Sequence, residues 1–149
     1  MKVEITGDSI RIEVDLSVPP VRAWTLLTER QHVANWWGGH VELQARLGGK
    51  LVETWSDGGR KVVTSGAVTR CDPPRALEMT WADHDWPGDT RVGFHLSEYG
   101  ARTRLVLDHS GWGVHPAGEQ QRLIDAHAGG WSQSLARLAD YAAVGPRSA

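Results

Sequence analysis

The sequence predicts an α+β domain in which a curved antiparallel sheet wraps a long C-terminal helix around an apolar cavity. Three observations predict it. Residues 8–18 alternate strictly between apolar and polar, the stretch 41–110 reads as a meander of alternating strands, and 118–143 carries the one long helical stripe.

The elements follow in order. Ile10, Ile12, Val14 and Leu16 share one side of the first strand, opposite Arg11, Glu13 and Asp15, the pattern of a half-buried strand. Pro19-Pro20 ends it, and Pro20 suits a first helical turn, where its missing N–H is not needed. Val21, Trp24 and Leu27/Thr28 then recur at helical spacing over 20–28. A second short helix over about 30–36 ends at Trp36-Trp37-Gly38-Gly39, where glycine permits a left-handed exit.

From Val41 to Ser110 the period is two. Val41, Leu43 and Ala45 alternate with Glu42, Gln44 and Arg46, and Gly48-Gly49 turns the chain into the strand KLVETWS. Asp57-Gly58-Gly59 is a hairpin signal. A strand over 60–71 shows no clear face, and Gly66 within it marks a bulge or a close approach. Asp72-Pro73-Pro74 breaks it, and strands with Leu77, Met79 and Trp81, with Val92, Phe94 and Leu96, and with Leu105, Leu107 and His109 on one side complete seven. In the final helix Ile124, Ala128, Trp131, Leu135, Leu138 and Ala142 form the apolar stripe. At 1.5 Å per residue it runs roughly 39 Å, enough to cross the sheet. Gly129-Gly130 in its middle is expected to spare volume beside Trp131, since each glycine costs about 1 kcal/mol relative to alanine there. No repeat or linker interrupts the chain, so one domain over 1–149 is expected, with its core at about 8–143.

Bulk composition narrows the function. The 149 residues are 40% hydrophobic and 23% charged, as in a folded globular protein. A formal charge of −2 gives no basic footprint for nucleic acid. No apolar run is long enough to insert in a membrane, and the N-terminus has no apolar signal core. A cytoplasmic location is expected, and the single cysteine, Cys71, excludes an internal disulfide. Eight tryptophans accompany one phenylalanine and two tyrosines, so the large rings of the interior are mostly indoles.

The residues also carry a resemblance. A helix with Trp24 and Leu27, then NWWG (35–38), GGK (48–50), GAVTRCDPPRALEMTW (66–81), TRLVLDHSG (103–111) and GWSQSLARLADY (130–141) fall in order. Together they resemble the activators of heat-shock-protein-90 ATPase homologues, of the bacterial stand-alone type, within the START/Bet-v-like (SRPBCC) superfamily. That resemblance implies the helix-grip fold. It also implies a choice of activities, since the superfamily includes lipid, hormone and polyketide binders, cyclases and hydroxylase subunits, and a related eukaryotic domain belongs to a co-chaperone. Fold does not select among these.

The candidate chemistry is sparse. If Leu51 and Trp55 face inward, so does Glu53 between them, and burial would raise the pKa of its carboxyl. His109 shares the phase of Leu105 and Leu107, which makes Glu53 and His109 a candidate proton-transfer pair. The expected cavity residues are Trp24, Trp37, Glu53, Trp55, Trp81, Phe94, Leu107, His109, His127 and Trp131. Trp86 and Trp112 are expected in rim loops, with exposed indoles. Asp83, His84 and Asp85 are adjacent in a turn-rich loop and cannot readily converge on one ion, so no metal and no cofactor are expected. Ser110 and Ser132 lack the context of a hydrolytic nucleophile. The reading is a binder of a small, largely hydrophobic or aromatic molecule. The alternatives are a cyclase/dehydratase-type enzyme using Glu53 and His109, or a co-chaperone-like or self-associating module, for which a homodimer is the candidate assembly.

Overall fold

The computed structural model describes residues 1–144, and 145–149 of the expected domain lie outside the described residues. The elements run β1 (Lys2–Thr6), β2 (Ser9–Leu16), α1 (Pro20–Thr28), α2 (Arg30–Trp36), β3 (Val41–Leu43), β4 (Lys50–Asp57), β5 (Arg60–Asp72), β6 (Ala76–Asp83), β7 (Thr90–Tyr99), β8 (Arg102–Ser110) and α3 (Ala117–Val144), with a short 3-10 turn at Trp112–Val114. All eight strands join one antiparallel sheet in the order β1-β2-β8-β7-β6-β5-β4-β3. The sheet is therefore α+β helix-grip in type, with α3 packed against it.

The eighth strand corrects the expected seven. Thr6 pairs with Ser9 across Gly7-Asp8, with Gly7 at φ 59, a two-residue hairpin that glycine makes accessible. β1 buries nothing, for Val3 and Ile5 are 44% and 43% exposed, so its alternation carries no core signal. β2 behaves as its pattern demands: Ile10, Ile12, Val14 and Leu16 are buried, and Ile12 lies opposite Leu107 of β8. Pairing β2 with β8 sets strands from near the two ends of the chain side by side, next to the β1 edge of the sheet.

The face of α1 is also corrected. Ala23, Leu26 and Leu27 are its buried residues, whereas Val21 is 72% exposed and Trp24 only partly buried. Apolar residues occupy both sides of VRAWTLLT, and the i, i+3, i+4 set packs on the core. Gly66 is a close approach rather than the bulge: a Cβ there would overlap the Thr80 carbonyl, while the register shift falls between Val68 and Arg70.

α3 runs unbroken through Gly129-Gly130, neither of which has positive φ. Its stripe of Ile124, Ala128, Trp131, Leu135 and Leu138 is buried, and each large aliphatic side chain so removed from water contributes about 1.5–3 kcal/mol. Arg137 on its polar flank donates Nε–H to the Trp36 carbonyl over 3.0 Å, pinning the end of α2 to the helix.

Candidate functional site

A cavity of about 450 Å³ lies between α3 and the β4–β6 part of the sheet. The sheet side supplies Glu53 and Trp55 from β4, Thr64 from β5 and Trp81 from β6. The helix side supplies Ala126, His127, Gly130, Trp131, Gln133, Ser134 and Arg137, and Trp37 and His40 close the end beyond α2. A second concavity, of about 360 Å³, adjoins α2 and the β3–β4 edge. It is lined by Arg30, Glu42 and Lys50 among aliphatic residues and contains no aromatic ring.

Three indoles pack on one another at the inner end of the larger cavity. The Trp131 ring centroid lies 5.2 Å from both Trp37 and Trp81, and Trp37 and Trp81 lie 6.2 Å apart. Trp55 stands at the rim, 38% exposed, its N–H donating to the Thr64 hydroxyl over 3.0 Å. Thr64 in turn donates to Asp83 Oδ1 at 2.5 Å. That chain fixes the Trp55 ring while leaving its face free.

Glu53 projects from the same strand face and bonds His40 Nε2 over 2.7 Å. Burial raises its pKa above the ordinary carboxylate value; the His40 bond opposes the rise and the charge of Asp83 adds to it. His40 was not among the expected site residues. The signal for it is Gly38, at φ 145, where a Cβ would collide with the His40 ring. The glycine of NWWG thus makes room for the imidazole that Glu53 holds.

His109 is placed elsewhere. It is fully buried behind the indole cluster, and both ring nitrogens are committed. The Trp131 indole, a donor only, gives its N–H to Nδ1 over 3.0 Å. The Thr90 hydroxyl donates to the Trp81 carbonyl, so it accepts Nε2–H of His109 over 2.7 Å. The ring is the neutral Nε2–H tautomer, and burial holds its pKa well below the ordinary imidazole value. Glu53 and His109 therefore do not form the expected pair: Glu53 is bonded to His40, and His109 has no free nitrogen.

The remaining expected residues divide. Trp37, Glu53, Trp55, Trp81, His127 and Trp131 line the cavity. Phe94 and Leu107 are fully buried in the core behind it, and Trp24 packs on the core away from the lining. His127 Nδ1–H donates to the Leu123 carbonyl over 2.9 Å, and burial lowers its pKa. Trp112 is not an exposed rim residue: Gly111 at φ 92 turns the chain back, and the indole is fully buried with its N–H on the His109 carbonyl. Trp86 is half-buried against it, 5.6 Å between centroids. Among the described residues no three His, Cys, Asp or Glu side chains are grouped to hold a metal ion. Asp83, His84 and Asp85 turn to separate partners, Thr64, Val63 and Arg60. No helix among the described residues is long and apolar enough to cross a membrane.

Comparison with known proteins supports this architecture. No curated protein matches the chain significantly. CalU16 from Micromonospora echinospora is 27% identical with a TM-score of 0.69, covering 91% of this chain and 76% of its own. DynU16, a protein of the dynemicin biosynthetic locus, is 25% identical with a TM-score of 0.75 over 93% of this chain; the present chain spans only 48% of DynU16. The Aha1 dimer from Colwellia psychrerythraea, 18% identical, shares the fold with a TM-score of 0.74 over 92% of this chain and 97% of its own. The family profile described as activator of Hsp90 ATPase homolog 1-like protein matches residues 17–143, and the chain belongs to that family.

Proposed function

We propose that the chain, as one domain, binds a small, largely hydrophobic aromatic molecule in the cavity between α3 and β4–β6. The observation that carries this reading is the wall itself: four indoles line a space of about 450 Å³ together with polar side chains such as Glu53, His40 and Arg137, a size and a pairing of aromatic surface with polar groups that suit a small-molecule site. The likeness to DynU16, from a biosynthetic locus, fits a small organic ligand. The free thiol of Cys71 fits a reducing, cytoplasmic setting. Titration of the intrinsic tryptophan fluorescence with lipids, aromatic compounds and polyketide-like compounds tests it. Saturable quenching by at least one class supports the reading; flat titrations across all of them contradict it.

One observation favours a second reading, that the cavity performs proton transfer on its occupant. Glu53 has a raised pKa and a hydrogen-bonded imidazole at the cavity edge, the arrangement of an acid–base pair, with His40 in the place the sequence assigned to His109. Solvent deuterium incorporation into a bound carbonyl compound, lost in Glu53→Gln, is its test. Self-association of the kind named for the Colwellia protein is a third reading, which sedimentation of the purified chain decides.

A further inference from the structure

Two buried side-chain polar atoms among the described residues have no hydrogen-bond partner, Trp81 Nε1 and His115 Nε2. They differ in position. His115 packs on Trp86, 4.6 Å between centroids, and does not line the cavity, whereas Trp81 forms part of its wall. Two of the other three cavity tryptophans have their N–H bonded: Trp55 donates to Thr64 and Trp131 to His109. Trp81 is 5% exposed, and its buried N–H is left without a partner. A buried donor without an acceptor costs about 1–3 kcal/mol, so the position calls for a reason.

Of the rings around Trp81, His109 offers no acceptor, and His127, 6.2 Å away between centroids with its Nε2 left as an acceptor by the Nδ1–H bond to Leu123, is not bonded to the indole N–H. His109 Nδ1 is taken by Trp131, and its Nε2–H is a donor. The electrostatic surroundings restrict what an incoming acceptor can be. Glu53 lines the same cavity, and the charge of Asp83 reaches both Glu53 and His127. A second anion would meet two carboxylates on the sheet side. Arg137, on the helix side, already gives Nε–H to the Trp36 carbonyl and an Nη2 hydrogen to Ser134. A neutral oxygen meets no such repulsion.

Resting on the binding reading above, we infer that the cavity's occupant is a ring compound bearing a neutral carbonyl oxygen, a ketone, quinone or lactone, which accepts the indole N–H of Trp81. The indole must yield slightly toward the cavity when that oxygen arrives, because the N–H is closed off in the structure described.

The test uses three compounds on one tricyclic skeleton: fluorene, fluorenone and fluorene carboxylate. Each is titrated into the full chain while the tryptophan side-chain N–H resonances are followed by nitrogen–proton correlation. Fluorenone is expected to bind about ten-fold more tightly than fluorene, the equivalent of one net hydrogen bond. It should also move the Trp81 resonance downfield, which fluorene should not. In Trp81→Phe both compounds still bind, and their affinities converge to within about two-fold, as loss of that single bond requires. Should the variant fail to fold, the wild-type affinity ratio and resonance shift decide alone. Equal affinity for hydrocarbon and ketone with both bound, or an unmoved Trp81 resonance, overturns the carbonyl inference and leaves the binding reading standing. Tighter binding of the carboxylate overturns it in favour of an anionic ligand. Failure of all three to bind overturns both readings together.

Discussion

The Trp131 indole N–H and His109 Nδ1 meet over 3.0 Å, tying the middle of α3 to β8 through a bond that requires the imidazole to be neutral. With Thr90 on the other nitrogen, protonation would place a donor against a donor and a charge in the core. The unfolded chain, with ordinary imidazoles, takes up that proton first as pH falls. His109 therefore contributes stability that is fully present above pH 6.5, the ordinary value, and is lost progressively as pH drops from there toward its depressed folded value. Denaturant unfolding of His109→Gln, which keeps an acceptor for Trp131, should show a pH slope below 6.5 shallower by about one proton, some 1.4 kcal/mol per pH unit. An unchanged slope would mean that His109 is not held neutral.

Glu53 titrates in the opposite sense. Its carboxyl midpoint, followed by carbon NMR, should lie above the usual 4.5, and His40→Ala should raise it further because the bond that favours the charged form is gone. A midpoint at or below the usual value in the wild type contradicts the half-buried placement.

Gly130 lines the cavity with nothing within 4 Å of a Cβ built on it, and its backbone is ordinary helix. Gly130→Ala should stabilise by about 0.5–1 kcal/mol, read as a higher melting temperature. Gly130→Leu should instead intrude on the cavity, weakening ligand uptake more than it weakens the fold. A lower melting temperature for the alanine variant is the outcome that denies an uninterrupted helix.

Gly66 behaves otherwise. Because its Cβ would strike the Thr80 carbonyl across the β5–β6 pair, Gly66→Ala should cost about 1–3 kcal/mol, with strand displacement visible in amide exchange of β5 and β6. Wild-type stability in that variant would show that the two strands are less closely apposed.

Much of the fold was legible because its periods are clean: Ile10 to Leu16 at period two, and Ile124 to Leu138 at the spacing of a helix stripe. β1 escaped because Val3 and Ile5 alternate without burying, so the pattern has no core to report. The site was legible only in part. Glu53, Trp37 and Trp131 follow from strand phase, helix phase and the NWWG turn, and they line the cavity. His40 did not follow, since it lies in a loop where no period assigns a direction, and only the clash at Gly38 betrays it. Strand phase sends His109 inward correctly but cannot tell a cavity wall from the packed layer behind it; that distinction needs the positions of Trp81, Thr90 and Trp131. Trp112 was misplaced for the same reason, because the turn at Gly111 reverses the direction that a loop position suggests.

A crystal structure of the chain with the tightest compound from the fluorescence titration shows whether the space between α3 and β4–β6 holds a ligand. Continuous density for the compound is expected against Trp37, Trp81 and Trp131, with Glu53 and His40 at its edge. Density for the compound elsewhere on the molecule, with the indoles closed on one another and no room between helix and sheet, would contradict the binding reading.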